Sequence, residues 1–315
     1  MEFKRRDLMG VGMGIGLTWA FLPIHVSMAK AEAGSGVAKT SNGKFTVYAL
    51  SDGTVRRPLD AGFVRNADLA EVQATLAEQG LPTDHIMVPY TPFVVEANGR
   101  RFLMDAGFAD NGPEGTGRLH ENMRAAGIEP NTIDVILMSH LHGDHINGLR
   151  RKDGSLVYPA AKVYIPRLEY EHWMSEEKMN AAPEAAQGGF KTVRRVLQDY
   201  PQDRLEIFDP GKPVEGFETI AGFGHSPGQT AFSIGSGAES FTYLADVAHY
   251  PALFVRHPSW QVQFDMNPDV AQTTRHELLA RMKEQGGLVG GYHFPFPSIG
   301  TIAAREEGYS FEAKA

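Results

Sequence analysis

The sequence predicts an α/β layered domain in which sheets are covered by helices. Three observations carry that expectation. Strand-type and helix-type segments are mixed through both halves of the chain. Beyond the N-terminal region no low-complexity linker, internal repeat or composition break divides them. The 315 residues, 42% hydrophobic and 22% charged, suffice for one large domain or two small ones and have ordinary globular composition.

Residues 1–33 stand apart from that domain. Lys4, Arg5 and Arg6 precede an apolar, Gly-rich stretch from about residue 11 to 28, and Ala29-Lys30-Ala31 and Ala31-Glu32-Ala33 have the small-x-small form of a signal-peptidase site. The arginine pair resembles a twin-arginine export signal, so the expected location is periplasmic or secreted, through the twin-arginine export machinery. Gly10, Gly12, Gly14, Gly16, Pro23 and His25 make a poor spanning helix, so cleavage is expected, with no stable membrane span afterwards. Residues 34–43 read as a flexible lead-in, and residues 44–315 as one domain.

Within it, Phe45–Leu50 is a strand that ends at the turn Ser51-Asp52-Gly53. Residues 67–79 form a helix with Leu69, Val72 and Leu76 on one face and Gly80 as a stop. Segments 93–96 and 101–104 flank Asn98-Gly99, a hairpin signal. Residues 117–126 are helical, 134–139 and 162–165 are buried-type strands, and 167–174 and 191–200 are helices. The second half gives strands at 205–208, 217–221, 231–234 and 241–244. Asn267 caps a helix with Pro268 at its first position, running to about Gln285, and a last short strand starts at Leu288.

The net charge is −8 with no basic stripe, which argues against a nucleic-acid partner. There are no cysteines, so disulfides and thiolate metal sites are excluded, and any metal must be held by carboxylates and by some of the 12 histidines. The strand at 134–139 runs directly into His140, Leu141, His142, Gly143, Asp144 and His145. His140 and His142 are two apart, which puts both rings on one side of an extended chain. Gly143 permits a turn, after which Asp144 and His145 face a second point. These four residues cannot complete two metal shells. His225 in Gly224-His225-Ser226-Pro227-Gly228, Asp246 after Leu244-Ala245, and His293 after Gly291-Tyr292 each lie at a strand end and supply the missing donors.

This ordered set resembles the metallo-β-lactamase superfamily, and the resemblance spans essentially all of the mature chain. It implies an αββα sandwich with two metals at one edge: His140, His142 and His225 on the first, Asp144, His145 and His293 on the second, Asp246 bridging. Asp105 in Met104-Asp105-Ala106-Gly107 is similar to the family's structural element that buttresses the site. The segments 49–53, 170–173 and 293–297 resemble the branch that includes methyl parathion hydrolase and related lactonases and esterases.

Two divalent ions roughly 3.5–4 Å apart can share a water and lower its pKa, giving a hydroxide that attacks a carbonyl or phosphoryl centre. The expected cofactors are two divalent ions, zinc first, with manganese, iron or cobalt also compatible. Asp144 is either a ligand alone or also a catalytic proton carrier to the leaving group. The expected reaction is lactone or ester hydrolysis with organophosphate hydrolysis as an accompanying activity, on a small-molecule substrate; a homodimer is one assembly option. A β-lactamase-type amide hydrolase and an iron-dependent, persulfide dioxygenase-like oxidoreductase are the alternatives on the same fold. Trp173, Phe190, Phe254, Trp260, Phe294 and Phe296 are candidates for an aromatic pocket, with Trp173 and Phe294 foremost.

Overall fold

The computed structural model describes residues 36–314. The Arg5-Arg6 pair, the apolar stretch after it and both small-x-small sites lie outside the described residues.

Nine strands occupy the first part of the chain: β1 (Val37–Ser41), β2 (Phe45–Leu50), β3 (Gly53–Pro58), β4 (His85–Tyr90), β5 (Phe93–Ala97), β6 (Arg100–Met104), β7 (Val135–Leu137), β8 (Lys162–Pro166) and β9 (Leu205–Phe208). Six follow: β10 (Glu218–Ala221), β11 (Thr230–Ile234), β12 (Phe241–Ala245), β13 (Leu288–Gly291), β14 (Ile299–Ala304) and β15 (Tyr309–Ala313). The helices are α1 (Leu69–Ala77), α2 (Leu119–Ala125), α3 (Gly143–Ile146), α4 (Arg167–Trp173), α5 (Glu176–Ala181), α6 (Gln187–Leu197), α7 (Pro251–Phe254) and α8 (Pro268–Gln285).

One sheet runs β1-β2-β5-β6-β7-β8-β9, antiparallel up to β6 and parallel from β6 to β9. The other runs β10 to β15 in sequence order, with β12 and β13 parallel. Strand alternation builds the layers. Val47, Phe93, Val95, Phe102, Met104, Val135 and Leu137 point from the first sheet to meet Phe232, Phe241, Tyr243 and Tyr292 of the second. The intervening residues Tyr48, Val94, Leu103 and Ile136 point the other way and are covered by Leu119 and Met123 of α2 and by Phe190, Val193 and Val196 of α6. Leu278, Leu279 and Met282 of α8 cover Leu244, Val289 and Ile302 on the outer face of the second sheet. Helix, sheet, sheet and helix therefore stack in that order, an αββα sandwich. The Asn98-Gly99 turn forms as expected, with both residues at positive φ (52° and 73°). Asn267 caps α8 by accepting from the Val270 N–H.

Two expectations need correction, and one further element adds to them. The lead-in at 34–43 contains β1, paired with β2 from Val37↔Leu50 to Ser41↔Thr46, so the described fold is already paired by Val37 rather than starting at 44. Its small polar residues look like a linker, but β2 offers an open edge, and Ala38 and Thr40 become buried against the layer. The strand at Leu288 is not the last, because β14 and β15 complete the second sheet. Their Gly, Ala and Ser content hides the strand pattern. The hairpin of β3 and β4 was not read from the sequence at all. With α1, α7 and the segment around Trp260 it forms a separate apolar cluster, and its inner side roofs the strand ends where the histidines converge.

Candidate metal centre

The seven donor residues arrive from four strand ends. β7 delivers the loop 138–142 and then α3, whose extended N-cap is His142. The β10–β11 connection carries His225, β12 leads into Asp246, and β13 into His293. This is the carboxyl-end crevice where layered α/β folds place ligands. The β12–β13 pairing shifts register between Tyr243 and Ala245, and Ala245 takes a positive φ of 49°, so the backbone is re-aimed immediately before Asp246. The ligand loop also needs a glycine: a Cβ at Gly148 would collide with the Ala106 carbonyl, where the Gly148 N–H donates to Gly107 O at 2.7 Å.

The donors form two nests. In the first, His142 Nδ1 lies 3.1 Å from His140 Nε2 and 2.9 Å from His225 Nε2. In the second, His293 Nε2 and His145 Nε2 each lie 3.4 Å from Asp144 Oδ2. Asp246 joins both. Its Oδ2 is 3.3 Å from His225 Nε2 and 3.1 Å from His293 Nε2, while its Oδ1 is 3.4 Å from His145 Nε2. Donor atoms about 2.0–2.2 Å from a shared ion stand roughly 3–3.5 Å apart in tetrahedral coordination. His140, His142 and His225 therefore have the spacing to hold one ion, and Asp144, His145, Asp246 and His293 the spacing to hold another.

Two buried atoms test that fit. His145 Nε2 and Asp246 Oδ1 are sealed from solvent and make no hydrogen bond. Their remaining contacts are charge contacts at 3.4 Å, too loose to replace a hydrogen bond, and a cation between them would satisfy both.

The nests differ electrostatically. Burial and then the neighbouring imidazoles hold His140 well below the usual histidine range, and burial and then His225 hold His142 down at about 3. In the second nest burial also opposes charge, but Asp144, Asp246 and Asp105 outweigh it and raise His145 well above its usual range. Asp246 and Asp144 likewise raise His293 to about 9. Burial would raise the Asp144 and Asp246 carboxyls, but His145 on the one and His293 with His145 on the other hold both well below the usual range.

A ring of buried supports orients the donors. Asp105, at positive φ after β6, takes the His145 Nδ1 contact at 2.7 Å and accepts from the Ser139 N–H and hydroxyl and from the Tyr243 hydroxyl. The Ser139 hydroxyl is also 2.9 Å from His140 Nδ1. His225 Nδ1 pairs with Asp265 at 3.1 Å, itself held by the fully buried Arg275. His293 Nδ1 meets Pro89 O at 2.9 Å. Glu169, entirely buried on α4, accepts from the Leu141 N–H, the Ser226 hydroxyl, the Gly228 N–H and the Trp173 indole N–H. One carboxylate thus ties the His140–His142 loop to the His225 loop. Glu169 and Asp265 had no signal in the sequence beyond being acids in helix-forming or turn segments; only their burial singles them out.

The nests floor a cavity of about 670 Å³, with Val55, Arg57, Tyr90, Phe108, His249 and Phe264 among its walls. Trp173 and Phe294 do not line it, nor do Phe190, Phe254, Trp260 or Phe296. Trp173 is 5% exposed, packs on Phe190 and serves Glu169. Phe294 is fully buried and packs edge-on against Phe311. The turn that follows β13 places the Phe294 ring in the apolar cluster beneath α8, with Leu244, Val289 and Ile302, rather than in the cavity that His293 lines. Among the described residues no helix is long and apolar enough to cross a membrane.

An αββα sandwich with His and Asp donors gathered in this way defines a metal-dependent hydrolase fold. The chain belongs to the metallo-beta-lactamase superfamily, whose model matches residues 88–291 and whose members typically bind two metal ions. No curated protein matches the sequence. Among solved structures it is similar to AbOPH, a hydrolase in the beta lactamase superfamily, at 24% identity, covering 89% of this chain and 98% of that one with a TM-score of 0.83. It is similar to AidC, a dizinc quorum-quenching lactonase in complex with an N-acyl-homoserine product, at 26% identity, 89% and 98% coverage and a TM-score of 0.79. A third likeness, to a Staphylococcus aureus protein described as a probable metal-dependent hydrolase, has 18% identity, 87% and 99% coverage and a TM-score of 0.70.

Proposed function

We propose that the chain is a dinuclear-metal hydrolase of lactones or esters, with phosphotriesters as secondary substrates. The observation that carries this reading is the pair of donor nests sharing Asp246 beneath one open cavity. His140, His142 and His225 would hold one ion, Asp144, His145 and His293 the other, and Asp246 both. Two such ions lower the pKa of a shared water and polarise an electrophilic oxygen, and zinc suits this donor set.

The residues of the chain do the rest. Asp246 is buried and tied to both nests, so it fixes their separation. Asp144 is the more open carboxylate, its side chain 21% exposed against 3% for Asp246, and it borders the cavity, where it can carry a proton to a departing alkoxide. Burial, with Asp144 and Asp246 nearby, raises the Tyr90 phenol, which stays protonated and able to donate to a substrate oxygen. Val55, Val88, Phe108 and Phe264 give the walls an apolar character suited to an acyl or aryl group. The lactonase similarity supports the lactone assignment, and the arginine pair at the N-terminus supports an exported enzyme.

Purified protein loaded with zinc is expected to carry two ions per chain and to hydrolyse lactones and aryl esters faster than phosphotriesters and β-lactams. One iron per chain with oxygen-dependent turnover of a persulfide would overturn the proposal. So would β-lactam cleavage in preference to every ester. Cell fractionation tests the location.

A further inference from the structure

One wall of the cavity is a continuous stack that starts at a donor residue and ends in a cation. The His249 ring lies 4.3 Å from that of His293, and Phe264 stacks on His249 at 5.2 Å with the planes 29° apart. The guanidinium of Arg57 then lies over Phe264 at 5.0 Å. Arg57 sits on β3, on the same strand face as Val55, and both line the cavity.

Arg57 differs from its neighbour. Arg56 also borders the cavity, but its side chain is more than half exposed and is paired with Asp84 at 3.0 Å. Among the described residues the Arg57 guanidinium makes no ion pair or side-chain hydrogen bond, and it lies over the Phe264 face. A half-buried guanidinium packed on a ring has its planar donor fork pre-organised, which is the geometry that recognises a carboxylate. Among the described residues the only acids lining the cavity are Asp144 and Asp246, both part of the donor nests. Two divalent ions outweigh those two carboxylates, so the floor of the loaded cavity is positive as well as its rim. In a chain of net charge −8, this concentrates cationic character in the one place a substrate must enter.

We infer that Arg57 is a specificity-determining residue and that the preferred substrate is an ester or lactone bearing a carboxylate at the end remote from the scissile bond. The apolar middle of that substrate lies along Phe264, and the carboxylate meets Arg57. This deepens the hydrolase proposal and rests on it.

The test uses full-length, zinc-loaded protein and para-nitrophenyl monoesters of linear dicarboxylic acids, from succinate to suberate, each against its methyl-capped counterpart. At the best-fitting chain length the acid-bearing ester is expected to have a kcat/KM about tenfold higher, the effect of one charge-assisted hydrogen bond. In Arg57→Met, which keeps the stem, the ratio falls to about one. Arg57→Lys keeps the charge without the stacked plane and falls between. Calorimetric binding of the same dicarboxylates to the unmodified chain and to Arg57→Met reads the preference without turnover, and in the unmodified chain should weaken as salt rises.

Equal kcat/KM for both esters in the unmodified chain, with no Arg57-dependent binding difference, overturns the Arg57 assignment while leaving the hydrolase proposal standing. A preference that persists in Arg57→Met does the same. Cleavage of neither ester, with dicarboxylate binding that Arg57→Met abolishes, overturns the hydrolase reading and upholds the anion site.

Discussion

The two donor nests share a carboxylate but are built on opposite electrostatic plans. The nest of His140, His142 and His225 has no acid of its own besides the shared Asp246, and burial keeps His140 and His142 neutral before an ion arrives. The nest of Asp144, His145, Asp246 and His293 is an internal ion-pair network in which His145 and His293 hold protons. An ion entering the first nest displaces little. An ion entering the second must displace protons, and in return it meets two carboxylates. Their supports differ too: Glu169 fastens the loops of the first nest, Asp105 the His145 ring of the second.

The largest effect tests what the nests share. Asp246→Ala should cost both ions and lower kcat/KM on the order of 10⁴-fold, the scale of losing a group on which a whole constellation depends. Metal analysis that still finds two tightly bound ions would remove Asp246 from its bridging role. Next comes what separates them. His142→Ala should empty the first nest and leave about one ion per chain, with activity lost; two ions still bound after dialysis would sink the assignment of His142.

The third effect is pH dependence, and its sign follows from the shifted groups. With His293 at about 9, the second nest is protonated near neutrality, so its zinc affinity should rise as pH goes from 7 towards 9, with proton release on binding. With His142 at about 3, already deprotonated across this range, the first nest should bind almost independently of pH between 6 and 9. Calorimetry in buffers of different ionisation enthalpy measures both, and equal proton release from the two nests would erase the distinction.

The smallest effect concerns Trp173. Trp173→Phe deletes one donor to Glu169 and should lower stability by about 1–2 kcal/mol in denaturant titration. Because Trp173 does not reach the cavity, the ranking of substrates should not change; a reordered substrate profile would return it to the pocket.

The first four candidate donors stand out in the sequence because they are local. A strand that ends in His140, His142, Asp144 and His145 cannot scatter them far, and chain geometry alone orders them. His225, Asp246 and His293 could be picked out as donors at strand ends, and family resemblance paired them. The outer layers were legible through alternation, as in Val47, Val95 and Phe102 against Tyr48, Val94 and Leu103. The edge strands were not: β1 and β15 are held by a neighbour's open hydrogen-bonding edge, which leaves little mark on their own side chains.

By itself, then, the sequence determined the chemistry of the donors, the absence of thiolate alternatives and the layered class, because these depend on residue type and short-range period. Only the tertiary structure decided which aromatic rings face the cavity. It turned Trp173 and Phe294 into packing and set Arg57, Phe264 and His249 in a wall, because residues far apart in the chain meet there through the β3–β4 hairpin. The same holds for Glu169. Nothing in its neighbours marks it, and its role exists only because burial leaves one carboxylate to satisfy four donors from two ligand loops and a helix.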